Sequence, residues 1–280
     1  ILAPLQLLTT KAASASVNGP SVKYYLSGTA ASLFLITSGA NRDILQWTNG
    51  SSIWTSETTP GLGTNDPTDI IDFLGDIWVA VGEAANVRRK TGGAWGDGGF
   101  PAVFFDSVVN VLYWSDNINE LYFATGNPAT AANRRGPIYV GDTNTNIRAI
   151  KAWDTRVYIG KDDGLYVLQE GRVSKLVDFS SARDPNNFKW MKVWNGALYF
   201  PILNGLYRLV GGTTLQAVGP DRGAAGVVEI GQMRAFETLH PTYKSLASGK
   251  TGQIVDLIPT ENFLYAVIDG VTGTSQIIAY

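Results

Sequence analysis

Apolar and polar residues alternate along most of this chain in short runs, broken by glycine, asparagine and aspartate. That period-2 pattern predicts β-strands joined by tight turns. It is sharpest from Lys151 to Gly219, where one block is followed by a second like it. Lys151/Lys192, Trp153/Trp194, Tyr158/Tyr199, Gly164/Gly205, Leu165/Leu206, Tyr166/Tyr207, Leu168/Leu209, Gly171/Gly212 and Val177/Val218 match without a gap, at a constant offset of 41 residues. The first copy reads as four runs, 148–153, 156–161, 165–168 and 173–179. Asp154-Thr155, Asp162-Asp163-Gly164 and Glu170-Gly171 turn each run into the next. Asp and Gly at such turns supply positive φ angles, so the block is an antiparallel meander. Four strands in roughly 40 residues is the size of one propeller blade.

The same unit is traceable elsewhere. Its second strands are expected to begin at Leu33, Ile77, Leu121, Val157, Leu198 and Leu264. The reading is an all-β chain, a β-propeller of about six or seven four-stranded antiparallel blades, with Val157–Ile159 and Leu198–Phe200 in second strands. The blades are expected near 21–61, 68–101, 102–146, 147–187, 188–219 and 251–280, after a linker or edge strand over 1–20. Segment 220–250, with Met233 to His240, is not clearly strand and reads as an insertion or a degenerate stretch of blade. The start at Ile1, the apolar opening before Ala13-Ser14-Ala15 and the stop at Tyr280 inside a strand-like run point to a piece of a longer polypeptide. A signal peptide would need a basic leader, and Pro4 interrupts the apolar run.

Composition narrows the function. The chain has 280 residues, 45% hydrophobic and only 16% charged; globular chains average about a quarter charged. A net charge of −2 without a basic tract excludes the positive footprint that nucleic acids require. Without cysteine there are neither disulfides nor thiolate metal sites. No apolar run reaches the length of a membrane span.

The repeats Val157-Tyr158-Ile159-Gly160 and Gly164-Leu165-Tyr166, with Leu198-Tyr199-Phe200 and Gly205-Leu206-Tyr207, resemble those of bacterial sensor-ectodomain propellers. The stretch from Phe263 through Asp269-Gly270 to Tyr280 resembles segments of tail or virion structural proteins of tailed bacteriophages. The Gly-His and Trp-Asp signatures of WD40 blades are missing.

Candidate chemistry is sparse. His240, the single histidine, precedes Pro241 without a Gly-x-Ser-x-Gly elbow, so it reads as a loop residue. Gly249-Lys250-Thr251 echoes the end of a phosphate loop but lacks the upstream glycine and the following helix. Asp142, Asn144 and Asn146 space oxygens as a calcium loop does, yet Ile147 and Trp153 stand where glycine and glutamate belong. Asp66, Asp69 and Asp72 could pair as glycosidase carboxylates, but strand-edge solvation accounts for them. Asn49-Gly50-Ser51 is a sequon whose Asn-Gly is explained by a turn. Trp95 and Phe100 lie in a glycine-rich hairpin, where exposed aromatics stack on sugars or enter protein interfaces, or else fold back onto their own blade.

The expectation is therefore a non-catalytic contact platform without cofactor. Contacts should concentrate in departures from the repeat: Trp95 and Phe100, Arg134 and Arg135 in the 127–135 insertion, and segment 219–250. The phage resemblance implies a virion component for assembly or host attachment, touching copies of itself, other virion proteins or a host glycan. The alternative is an extracellular or periplasmic sensor or glycan-binding propeller; a glycoside hydrolase is the third reading.

Overall fold

The computed structural model of the chain describes residues 16–27, 30–38, 42–48, 54–57, 60–181, 183–203, 205–212, 214–218, 227–229, 253–269 and 276–279. Asn49-Gly50, His240 and Gly249-Lys250-Thr251 lie outside them.

The described chain is built of antiparallel sheets. The first holds β1 (Ser16–Ser27), β2 (Ala30–Ser38), β3 (Asp43–Thr48) and β4 (Thr55–Ser56). The second holds β5 (Asp69–Phe73), β6 (Asp76–Ala80), β7 (Gly82–Thr91) and β8 (Ala94–Ala102). The third holds β9 (Phe104–Val108), β10 (Val111–Ser115), β11 (Glu120–Thr125) and β12 (Arg134–Tyr139). In the fourth are β13 (Ile147–Trp153), β14 (Arg156–Lys161), β15 (Gly164–Gln169) and β16 (Arg172–Asp178). The fifth has β17 (Lys192–Trp194), β18 (Ala197–Ile202), β19 (Gly205–Val210), β20 (Thr214–Val218) and β21 (Val227–Glu229). The last has β22 (Gln253–Pro259), β23 (Leu264–Asp269) and β24 (Gln276–Ala279). Among the described residues the one helical element is a 3-10 turn, Ala131–Asn133.

Strands follow chain order in every sheet, so each blade is an uninterrupted meander. Val157–Ile159 and Leu198–Phe200 fall in the second strands β14 and β18. The count of six or seven four-stranded blades is corrected. Among the described residues five sheets have four strands or more, and the last, within 253–279, has three. Val227–Glu229, within segment 220–250, extends the fifth sheet by pairing with β20.

Two compact units divide the chain at Ile138/Tyr139. Within each, sheets pack face to face as successive blades of a propeller. In unit 1, alternation along β6 shows how. Ile77 and Val79 join Phe34, Ile36 and Ile44 of the first sheet, while Trp78 and Ala80 join Phe105, Leu112 and Trp114 of the third. Unit 2 repeats the arrangement along β18. Leu198, Phe200 and Ile202 pack with Tyr158, Leu165 and Val167 of the fourth sheet, and Ala197 and Tyr199 with Ile254, Leu257 and Leu264 of the last. A strand covered on both faces needs apolar residues at consecutive positions, so these runs look continuous rather than alternating. The repeated tryptophans are equivalent in space: Trp153 and Trp194 are both half-buried, 6.0 and 5.7 Å from the rings of Tyr158 and Tyr199.

The first hairpins of four sheets place a non-glycine residue in the left-handed region: Leu74 (φ 53°), Val109 (φ 52°), Asp154 (φ 58°) and Asn195 (φ 46°). Asp and Asn tolerate this backbone; a β-branched residue does not. Val109 is 89% exposed, so burial does not offset the strain. Val109→Asn should therefore raise stability by about 1 kcal/mol, read as a higher urea midpoint at unchanged slope. An unchanged or lower midpoint would contradict the strain argument.

Candidate functional site

A cavity in unit 1 gathers polar and aromatic groups. It measures about 480 Å3 and opens where β8, β10, β11 and β12 meet, with Glu83 of β7 at its side. Tyr122, half-buried, lines it, and Trp114, 3% exposed and part of the core, stands behind that ring. They are direct cross-strand partners in the β10–β11 register, so their rings share one face. The rings stack 5.7 Å apart at 11°. Phe100, at the end of β8, backs Trp114 at 4.5 Å. Gly136 leaves Tyr122 its place: at φ 120° it lies where a Cβ would come within 2.9 Å of the Tyr122 ring.

Carboxylates occupy another side. Asp116, just past β10, accepts the backbone N–H groups of Ile118 (3.0 Å) and Glu120 (2.7 Å) through Oδ1, which fixes the β10–β11 turn. Glu120 accepts the Tyr122 hydroxyl, and Glu83 accepts the Asn117 N–H at 2.5 Å. Burial pushes the Asp116 pKa up, and the charges of Glu83 and Glu120 add to it. The two backbone N–H groups pull the other way without cancelling the rise. Among the described residues, none of these three carboxylates pairs with a lysine or arginine.

The two arginines differ. Arg134 spends Nε on the Pro128 carbonyl (2.8 Å), Nη1 on Gly99 (2.7 Å) and Nη2 on Ala129 (3.1 Å), with its guanidinium 5.2 Å from the Phe100 ring centre. It is a strut that ties the 127–135 segment to β8. Arg135 is exposed and donates Nη1 to the carbonyls of Ala132 (2.6 Å) and Arg134 (2.8 Å).

Phe100, Arg134 and Arg135 thus come together on one cavity, and Trp95 is not among its lining residues. Of the two readings of the glycine-rich hairpin, exposed aromatics or aromatics folded back, the second holds. Gly92-Gly93 alone make the turn, and Ala94–Ala102 is strand β8. Phe100 is 4% exposed and belongs to the core. Trp95 is half-buried, donates Nε1 to Glu57 at 2.9 Å and lies 5.9 Å beneath the Lys90 ammonium, itself 2.5 Å from Glu57. The sequence reading passed over Glu83, Trp114, Asp116, Glu120 and Tyr122. The polar turn 116–120 between two aromatic-rich strands was the available signal.

The other candidates resolve into structural roles. Asp69 is buried and caps the N–H groups of Ile70 and Phe105, each at 2.8 Å, which ties β5 to β9. Asp66 pairs with Arg42 at 3.0 Å. Asp72 is exposed on the opposite face of β5 from Asp69. At the Asp142 turn a cation is already in place: the fully buried Lys161 ammonium meets the carbonyls of Val140 (2.9 Å) and Asp142 (2.6 Å). Among the described residues, no three His, Cys, Asp or Glu side chains are grouped as metal ligands.

Unit 2 carries a second polar cluster. Buried Asp163 accepts Thr145 Oγ1 (3.0 Å), the Tyr166 hydroxyl (3.0 Å) and Lys175 Nζ (2.6 Å). Burial, with the Asp163 charge beside it, pushes the Tyr166 pKa up to about 12. The Lys175 ammonium loses from burial but gains more from the carboxylates of Asp163 and Asp178, so its pKa rises as well. Both shifts hold these groups protonated at neutral pH, the opposite of what a general base needs.

No protein-family model and no curated protein matches the chain. Solved structures do. The extracellular domain of a protein described as the hybrid two component system BT4673 from B. thetaiotaomicron superposes at TM-score 0.57 and 13% identity, covering 96% of this chain and 39% of that one. A second structure of this ectodomain, described as a one component system, gives 0.56 at 15%, covering 92% and 32%. BBS1N, crystallised in complex with ARL6DN, gives 0.57 at 13%, covering 95% and 79%. The chain therefore spans about a third of the sensor ectodomains it resembles. These structures match the sensor-ectodomain resemblance of the repeats and not the phage one. At such identities the likeness is one of fold, and the fold is that of blades in a propeller.

Proposed function

We propose that the chain is a non-catalytic recognition propeller of the extracytoplasmic sensor kind, and that its unit 1 cavity takes a saccharide. The observation that carries this reading is the half-buried Tyr122 ring, backed by the core residue Trp114, beside hydrogen-bonding groups in a cavity of about 480 Å3. Apolar ring faces with a few convergent polar groups are what small-ligand sites use, and the C–H face of a sugar packs on such a ring. The sensor neighbours are extracellular domains, which supports an extracytoplasmic setting. The virion reading keeps only the resemblance in 263–280, to which the cavity adds nothing.

The test is a glycan array followed by calorimetry on the purified chain. An oligosaccharide should bind, be recovered uncleaved, and lose about tenfold or more in affinity on Tyr122→Ala, the loss of a ring stacked on the ligand. Absence of any saccharide binding would sink the reading, and cleaved product would make the chain an enzyme.

A further inference from the structure

We infer that unit 2 binds an anion, a carboxylate or phosphate group, at Lys189. The saccharide reading of unit 1 plays no part in this.

The repeat supplies the first observation. Arg148 and Lys189 are equivalent at the offset of 41 residues, and so are Asp162 and Leu203. In the first copy the cation is answered, for Asp162 accepts Arg148 Nε at 2.5 Å and Nη2 at 3.1 Å. The second copy keeps the basic residue and loses the acid. Lys189 is half-buried, and among the described residues it forms no ion pair. Burial pushes its pKa down, and the nearby Arg148 charge lowers it further. An ammonium drawn out of water needs a counter-charge, and an arriving anion is one.

The ring beside it gives the second. Lys189 Nζ lies 4.7 Å from the centre of the Trp190 ring. Trp190 is 8% exposed, and its Nε1 is buried with no hydrogen-bond partner among the described residues. Ammonium and indole are both donors, so what the place lacks is an acceptor. Oxyanions supply acceptors, in charge-assisted hydrogen bonds to the lysine.

Backbone geometry holds the lysine ready. Phe188 (φ 58°) and Trp190 (φ 62°), on either side of it, are both left-handed. Such strain persists where the surroundings over-determine it, and ligand clamps are one such place. Here Phe188 is fully buried and donates its N–H to the Pro201 carbonyl at 2.8 Å. Gly160 makes room for it, since a Cβ there would lie 2.5 Å from Phe188 Cβ. With both neighbours fixed, less ordering is left to be done on binding.

The experiment is calorimetry on the purified chain with sodium phosphate and with sodium succinate, each against sodium chloride at equal ionic strength. At least one of the two anions should bind saturably, one per chain, and the tighter one tells whether the natural group is phosphoryl or carboxyl. Lys189→Gln should weaken that binding about tenfold or more, the worth of one charged hydrogen bond. Should this variant fold poorly, Leu203→Asp takes its place. It restores the acid of the repeat at a left-handed position (φ 53°) that aspartate tolerates better than leucine. The new carboxylate should pair with Lys189 and displace the anion to a similar degree. The inference is overturned if neither anion binds beyond chloride, or if the folded variant binds as tightly as wild type.

Discussion

Asp163→Ala should cost the protein about 3 kcal/mol, the lower end of the range for removing one member of a buried pair. The substitution leaves the Lys175 ammonium, the Tyr166 hydroxyl and the Thr145 hydroxyl without their common acceptor. Lys175 keeps some contact with water, which argues for the lower end. Linkage gives the pH signature. Burial works to raise the Asp163 pKa, but its hydrogen bonds from Lys175 and Tyr166 outweigh this and leave it lowered. A depressed carboxylate stabilises above its unfolded pKa of about 4 and loses that stabilisation as pH falls through the folded value. Tyr166 acts at the other end. Raised to about 12, it stabilises below about 10 and stops doing so as pH climbs toward its folded value. Wild type should therefore weaken at both extremes, and Asp163→Asn should flatten the acid limb. Urea midpoints from pH 2 to pH 7, equal in slope for the two proteins, would refute the assignment.

Gly164→Ala should cost about 2–3 kcal/mol, the upper part of the range for overpacking. Gly164 is not in the left-handed region, so the cause is space. In the β15–β16 ladder Leu165 faces Val177 and Tyr166 faces Lys175, leaving Leu176 as an extra residue. Such a bulge bends its strand and increases the local twist. A Cβ at 164 would collide with the Val177 carbonyl oxygen and come within 2.7 Å of Lys175 Cε. The lysine can move; a ladder carbonyl cannot. Thr155→Ala, in an exposed turn, is the control and should leave the urea midpoint within error. If Gly164→Ala does the same, neighbouring backbone has absorbed the methyl and the close approach is not rigid.

How much of this was legible follows from which interactions are local. The ungapped offset located β14, β15, β18 and β19 because each strand's partner is its neighbour in sequence, and the turn chemistry of Asp154-Thr155 and Asn195-Gly196 is written in adjacent residues. Blade count was less legible: 253–279 has the same apolar texture as a complete unit but, among its described residues, three strands. The glycines from Gly92 to Gly99 misled differently. Glycine signals a turn when its backbone is freed, and equally a strand pressed by a neighbour. Phe100 is consequently core. The cavity was the least legible feature. Its lining runs from Glu83 to Gly136 and meets only through strand pairing and blade packing, so no spacing along the chain announces it.

Every described sheet is one contiguous stretch of chain, with its strands in order and none exchanged with another sheet. A blade is thus also a single block of coding sequence. Unequal crossing-over between the copies at 151–178 and 192–219 would remove or add a whole blade in frame, without splitting a hydrogen-bonded ladder. The matched residues at the exchange point, Tyr158 with Tyr199 or Leu165 with Leu206, already do the same packing work. Blade number in a lineage of such genes can change by single recombination events, while a cavity assembled from several strands is inherited only as a set.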